Sequence, residues 1–343
     1  MEQEIIYKNC QEIISDVPTI ILGSGASIPY ELPSMGSLAL YLKDNINPDV
    51  DDKESWQQII DELDKKWDLE YALQQVELSK KLFDQIVNLT WKNISDEDNR
   101  LYKQVICEGR EISLLRLLKY CLKASNPEIH IITTNYDRIA EYAASQSKAS
   151  YYTGFSSNHI NSFDPNDSEG DLKIKYPGLN GQIYIWKVHG SLDWFKKENE
   201  FFSIKNIQEI PQDFAPSIVT PGVSKFRETH NDPYRSIFRQ SDQTISNSTS
   251  FLAIGYGFND EHVQPRLLTQ LKSESKPLLI LTKVLTEKTV EILKSGEIKK
   301  FIAVEDDGKG GSNFYIDSYS NKHNIEKILL WDFDTFLTEI IGI

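Results

Sequence analysis

The chain has 343 residues, 40% of them hydrophobic and 26% charged, which suits one large soluble domain with an insertion, or two domains. Its net charge of −14, with no basic run, disfavours sequence-independent binding to nucleic acid and attraction to an anionic membrane surface. No apolar run reaches the roughly 18 residues of a membrane span, and the acidic start MEQEIIYKNC lacks a signal pattern. Cys10, Cys107 and Cys121 are scattered and give neither a disulfide framework nor a CxxC metal half-site, so a cytoplasmic, reduced protein is expected.

In chain order, the first predicted strand is PTIILG, Pro18 to Gly23, closed by the turn SGASIPYELPSMG. From about Gly36 to Lys123 the apolar residues fall at helical spacing: Trp56, Ile59, Ile60 and Leu63, then Leu69, Leu73 and Val76, then Leu82, Ile86 and Leu89. This block, residues 36–123, reads as a helical insertion between the first and second strands. Residues 1–35 and 124–343 are then the parts of one α/β domain. The second strand, Glu128 to Thr134, runs into a helix carrying Ile139, Ala140 and Ala143. The polar stretch NHINSFDPNDSEGD reads as a loop.

GQIYIWKVHGSLDWF gives a strand ending at His189-Gly190, and FLAIGYGFNDEH gives another ending at Gly255, with a helix from about Asp260. KPLLILTK reads as a buried strand, and NFYIDSY, after the turn DDGKGGS, as an edge strand. Strands alternating with helices predict a mostly parallel, Rossmann-like sheet covered on both faces.

Four of these strand ends carry polar or glycine-rich sequence at the edge where open α/β sheets bind ligands. After the first strand, Gly23 and Gly25 allow a close backbone approach to an anionic group, with Ser24 and Ser27 hydroxyls beside them. The third glycine of the dinucleotide fingerprint is missing, and no second strand with a ribose-binding acid follows about 20 residues later, which disfavours an ordinary dehydrogenase. After the second strand comes TTNYD, where Asp137 also suits a helix N-cap. His189 sits beside a glycine at its strand end, and Gly255 and Gly257 repeat the glycine device before Asp260 and His262.

GSGAS (Gly23 to Ser27), TTNYD (Thr133 to Asp137), HGS (His189 to Ser191) and GYGFNDEH (Gly255 to His262), in this order, resemble the sirtuin-like NAD-binding superfamily. The resemblance is to the variant found in bacterial antiphage defence proteins, spans roughly residues 18–285 in motif order, and extends to the closing ILLWDFDTFL. It implies NAD+ as substrate and no metal. Asn135 would orient the ribose and a water, and His189 would be the base or a ribose-hydroxyl partner. Asp137 would fix the loop or contact the ribose, and Thr134 would lie on the nicotinamide riboside side, while Gly23, Ser24, Gly25, Ala26 and Ser27 would cradle the pyrophosphate. Gly255, Tyr256, Gly257 and Phe258 would face the adenosine.

Two departures shape the expected reaction. The scattered cysteines cannot build the four-cysteine zinc ribbon of protein-deacetylating sirtuins. YELPSMG, Tyr30 to Gly36, stands where those enzymes carry G-I-P-D-F-R. Cleavage of NAD+ by water, draining NAD+ during phage infection, is therefore expected over deacylation or ADP-ribosyl transfer; the alternative outside catalysis is an NAD-binding scaffold subunit. The apolar faces of residues 36–123 suit pairing between subunits as well as packing within the chain, so a homo-oligomer is expected, and the resemblance implies a separately encoded partner, such as a HerA-type ATPase or a short Argonaute.

Overall fold

A computed structural model describes residues 2–66, 68–123, 128–155, 159–164, 178–220, 231–260 and 263–343. Helix α1 (Glu2–Ser15) leads into strand β1 (Thr19–Leu22). Helices α2 (Met35–Asn45), α3 (Lys53–Lys66), α4 (Leu69–Gln74), α5 (Lys80–Lys103) and α6 (Ser113–Cys121) follow. Then come β2 (Glu128–Thr133), α7 (Ile139–Gln146), β3 (Ser150–Tyr152), β4 (Ile160–Ser162), β5 (Gln182–Lys187), β6 (Gly190–Lys197), β7 (Glu200–Ile204) and β8 (Ala215–Ile218). The remainder is α8 (Tyr234–Asn247), β9 (Phe251–Ile254), α9 (Gln264–Ser273), β10 (Leu278–Leu281), α10 (Glu287–Lys294), β11 (Phe301–Asp306), β12 (Ser312–Ile316), β13 (Lys322–Ile325) and α11 (Phe333–Phe336).

The main sheet has the order β13-β12-β11-β10-β9-β1-β2-β5-β3, parallel from β11 to β3 and antiparallel at β12 and β13. Within it, β5-β2-β1-β9-β10-β11 is the doubly wound order in which the chain first builds one way from β1 and then the other. The reversal falls between β1 and β9, so the loops leaving their carboxyl ends part there and open a crevice. The expected mixed α/β architecture, a mostly parallel sheet flanked by helices, is what the chain forms.

The strands are short and apolar on both faces because both faces are covered. Alternation divides their side chains: Ile20, Leu22, Ile131, Leu252 and Leu279 join one core, while Ile21, Ile132, Phe251, Ala253 and Leu278 join the other. The helical block is divided by its packing. A third cluster gathers Leu38, Leu42, Trp56, Ile59, Leu63, Leu73, Leu82 and Ile86, whereas Val87, Trp91, Leu101 and the α6 leucines belong to the first core. Helix α5 spans both, its N-terminus closed by Ser79, whose hydroxyl accepts from the Leu82 amide at 3.1 Å.

Three readings change. The strand expected to end at His189-Gly190 ends at Lys187, and β6 starts at Gly190, entering a second, antiparallel sheet of order β4-β7-β6-β8. Gly190 allows this sharp passage with φ of +88° and leaves no room for a Cβ, which would lie 2.3 Å from the Ser217 carbonyl oxygen. Part of the polar stretch read as a loop forms β4 against β7, while residues 158 and 165–171 of it lie outside the described residues. NFYIDSY is not at the edge, because β13 pairs outside it. Among the described residues no helix is long and apolar enough to cross a membrane.

His130, on β2, stacks on Tyr184 with ring centroids 4.9 Å apart. Burial pushes its pKa down from 6.5 to about 4. The unfolded chain therefore takes up this proton near 6.5 and the folded chain only near 4, so the unfolded state binds more protons in between. Stability should fall as the pH drops through that window, by at most on the order of 3 kcal/mol from this residue. His130→Phe keeps a stacking ring and removes the proton, so its urea midpoint should fall less steeply than wild type over the same window. Parallel profiles for the two proteins would refute this assignment.

Candidate functional site

Register brings the four strand ends level. Leu22 of β1 pairs with Thr133 of β2 and with Ile254 of β9, and Thr133 pairs with Lys187 of β5. The residues that follow, Gly23, Thr134, Val188 and Gly255, therefore leave the sheet along one line at the reversal point.

The two glycine turns interlock backbone to backbone. The Gly23 amide donates to the Ile254 carbonyl and the Gly25 amide to the Gly255 carbonyl, each at 3.1 Å. A Cβ at Gly23 would lie 2.4 Å from the Gly255 carbonyl oxygen, and one at Gly255, whose φ is +57°, would lie 2.3 Å from the Ala26 nitrogen. These glycines are thus required by the contact between the loops themselves. The Ala26 and Ser27 amides close the tight turn onto Gly23 and Ser24. With four of its five amides engaged, the turn offers an anion chiefly the exposed Ser24.

The TTNYD segment is fixed against that turn. Thr133 Oγ1 donates to the Leu22 carbonyl at 3.1 Å and accepts from the Asn135 amide at 3.0 Å. Asn135 Nδ2 donates to the Gly23 carbonyl at 2.9 Å and to Ser27 Oγ at 3.0 Å. A carbonyl can only accept, so the atom facing Gly23 must be the nitrogen. With both N–H groups engaged, Oδ1 of the half-buried Asn135 is the atom left for a ligand. Ser27 Oγ passes the chain on to Asp137 Oδ2 at 2.6 Å, and Asp137 Oδ1 accepts from the Ile139 amide at 3.2 Å. Asp137 is thus not the N-cap of α7, which is Arg138, but it holds the turn that enters the helix and also locks the glycine turn. Burial pushes its pKa up, against the pull of the Lys187 ammonium and the Ser27 hydroxyl. Thr134 is half-buried beside it.

His189 occupies the passage from the main sheet to the small one and is 6% exposed. Its backbone carbonyl accepts from the Val219 amide at 2.8 Å, and its Nε2 lies 2.9 Å from Asp260 Oδ2. Asp260 Oδ1 accepts from the Val263 amide at 2.9 Å, so the acid precedes α9, which starts at Gln264 rather than at Asp260. Tyr256 and Phe258 are 4% and 1% exposed and pack on each other in the second core. Any contact to a ligand from this segment therefore falls to the backbone of Gly255 and Gly257. His262 lies outside the described residues.

Sequence reasoning missed a buried charge network under this edge. Arg138 meets Asp98 of α5 at 2.6 Å, Asp193 of β6 at 3.1 Å and Asn99 Oδ1 at 2.8 Å. Lys187, fully buried, meets Glu141 at 3.1 Å and donates to the Asp137 backbone carbonyl. Burial pushes the Glu141 and Asp193 carboxyls up, while Lys187 pulls Glu141 down and Arg138 pulls Asp193 down. The signal was available. Asp98 lies on the same helical stripe as Trp91, Ile94 and Leu101, and Lys187 sits inside the apolar run IYIWKV. Among the described residues no group of three His, Cys, Asp or Glu side chains could hold a metal ion.

Residues 129–296 match the model of the SIR2-like domain. The match takes in Asn135, His189 and the Gly255 to Asp260 segment. Sir2Tm bound to a propionylated peptide aligns over 98% of both chains at 13% identity, with a TM-score of 0.45. Sir2 bound to acetylated peptide aligns over 100% of this chain and 99% of that one at 13% identity, with a TM-score of 0.44. A SIR2 homolog–NAD complex aligns over 88% of this chain and 87% of that one at 10% identity, with a TM-score of 0.42. No curated protein matches the chain in sequence.

Proposed function

We propose that the SIR2-like domain hydrolyses NAD+ at the nicotinamide–ribose bond, giving ADP-ribose and nicotinamide. The observation that carries the reading is Asn135, which follows β2, next to the reversal point, and whose amide nitrogen is held by Gly23 and Ser27 while Oδ1 is left for a ligand. Nicotinamide leaves as a neutral group from a cationic nucleotide, so the transition state resembles an oxocarbenium ion and needs orientation more than acid assistance. Asn135 Oδ1 accepts from a ribose hydroxyl or the attacking water, and His189 takes up the proton that is lost. Asp137 acts on the loop through Ser27 and the Ile139 amide, and Ser24 faces the pyrophosphate.

Hydrolysis is favoured over deacylation by the scattered cysteines and by YELPSMG in the acyl-lysine loop position. The wider reading includes an antiphage effector role, homo-oligomerisation, a separately encoded partner of the HerA-type ATPase or short-Argonaute class, and residues 36–123 as an insertion. Its support is the motif run together with the helices of that block.

Purified protein incubated with NAD+ should release nicotinamide and ADP-ribose without any peptide. Turnover that requires an acyl-lysine peptide and yields acylated ADP-ribose would replace the hydrolase by a deacylase. Equilibrium dialysis separates a latent enzyme from a wrong assignment, because a protein that neither consumes nor retains NAD+ is neither enzyme nor NAD-binding scaffold.

A further inference from the structure

Lys187, at the carboxyl end of β5, is an ammonium with no access to solvent. It donates to the backbone carbonyl of Asp137 and lies 3.1 Å from Glu141 Oε1, tying β5 to TTNYD and to α7. Arg138, the neighbouring cation, is turned to Asp98 of α5 and Asp193 of β6. Among the described residues, Lys187 is thus the cation that serves the Asp137 and Glu141 carboxyls together. Desolvation and the like charge of Asp98 push Asp137 toward protonation, while Lys187, the Ser27 hydroxyl and the Ile139 amide oppose it.

The charge on Asp137 sets the direction of a hydrogen-bond relay. Oδ1 accepts from the Ile139 amide and Oδ2 from Ser27 Oγ, which in turn accepts from Asn135 Nδ2. With a proton on Oδ2, Asp137 would donate to Ser27, and the Ser27 proton would have only Asn135 to turn to. Asn135 presents Nδ2 there, because the Gly23 carbonyl needs the same nitrogen as its donor. The two demands conflict, and the amide loses its single orientation. We propose that Lys187 is a positioning residue for Asn135: its buried charge keeps Asp137 a carboxylate, which fixes the relay and leaves Oδ1 of Asn135 to the ligand. The catalytic consequence rests on the hydrolase reading.

The double variant Lys187→Met/Glu141→Gln removes the ion pair as a unit, so that Glu141 is not left as an unpaired buried charge. Removing a cation beside a carboxylate raises its pKa. The Asp137 carboxyl ¹³C signal, assigned with Asp137→Asn, should therefore titrate about 1–3 pH units higher than in wild type. The Asn135 Nδ2 signals should move with the same midpoint, and the acid limb of nicotinamide release should rise by the same amount. Glu141→Gln alone leaves Lys187 to Asp137 and should lower the midpoint. Ser27→Ala, which spares the ion pair, should uncouple the Asn135 signals from Asp137. These two single variants keep most of the contacts and carry the test if the double variant does not fold.

A double variant whose Asp137 midpoint moves by less than about one pH unit overturns the proposal, as does a raised midpoint in Glu141→Gln. So do Asn135 signals that stay constant while Asp137 titrates, or a rate lost equally at every pH with Asp137 still ionised. Protein that follows these titrations but releases no nicotinamide overturns the hydrolase reading, and with it the catalytic consequence, while the relay stands on the spectra.

Discussion

Asn135→Ala is expected to lower nicotinamide release by about 10²–10⁴-fold while the protein stays folded. The substitution removes Oδ1, the atom left for a ligand, and both donors that hold the glycine turn. The structural share of that loss is limited: one carbonyl and one hydroxyl lose a partner, and Ser27 keeps its bond to Asp137, so the stability cost should be about 1–3 kcal/mol. Asn135→Asp should be equally inactive for a different reason, since it would set a carboxylate oxygen against the Gly23 carbonyl where a donor now sits. His189→Ala should match Asn135→Ala in activity. If His189 were only a structural histidine, its replacement would reduce turnover only in proportion to unfolding. Nicotinamide release and thermal unfolding measured on the same variants divide these cases, and a well-folded His189→Ala protein with wild-type turnover would remove it from the mechanism.

Asp98→Ala should be the most damaging single change to stability among the residues considered, costing about 3–5 kcal/mol. Asp98 is fully buried and accepts from the Arg138 amide at 2.8 Å, from Arg138 Nε at 2.7 Å and from the Tyr142 hydroxyl at 2.5 Å. Truncation leaves a buried guanidinium with less of its compensating charge and a buried phenol without its acceptor. Asp98→Asn retains an acceptor and should fall between the variant and wild type. An exposed carboxylate on α3, Asp61, gives the control, whose replacement by alanine should stay within about 0.5 kcal/mol. Urea denaturation of the three variants checks the ranking; a wild-type midpoint for Asp98→Ala would mean that the network contributes nothing net. Because Arg138 directly follows Asp137, the same variant should lose more activity than its unfolded fraction explains.

The sheet was legible because its strands carry two buried faces and end in turn residues: PTIILG, the Glu128 to Thr134 run, FLAIG and KPLLILTK need no partner to be recognised. The small sheet was not. Its strands β4, β7 and β8 are short, and β6 follows β5 with only Val188 and His189 between them, so periodicity alone runs through the break. What marks it is Gly190, whose backbone conformation only tertiary contact with Ser217 explains. The candidate site was legible as a set of strand ends, and register then aligned those ends. The direction of each contact was not legible. A sequence cannot say that the Gly23 and Gly25 amides are spent on the end of β9 and the loop after it, that Tyr256 and Phe258 point into the core, or that Asp260 reaches across two strands, because each depends on residues far apart in the chain.

The division of α5 between two cores bears on how the chain could be taken apart. A helix of 24 residues is a rod about 36 Å long, and here one stripe, Leu82, Ile86 and Leu89, is glued to one body while another, Phe83, Val87, Trp91, Ile94 and Leu101, is glued to a second. Its second part carries Asp98 and donates from the Trp91 indole to the Leu192 carbonyl at 2.9 Å. A deletion cut at either end of the whole helical block would therefore strip the first core of α6 and the sheet edge of its clamp. The segment that can be excised with least exposed wreckage is Met35 to Ser79, with α5 left whole as the wall of what remains and Leu82, Ile86 and Leu89 replaced by polar residues.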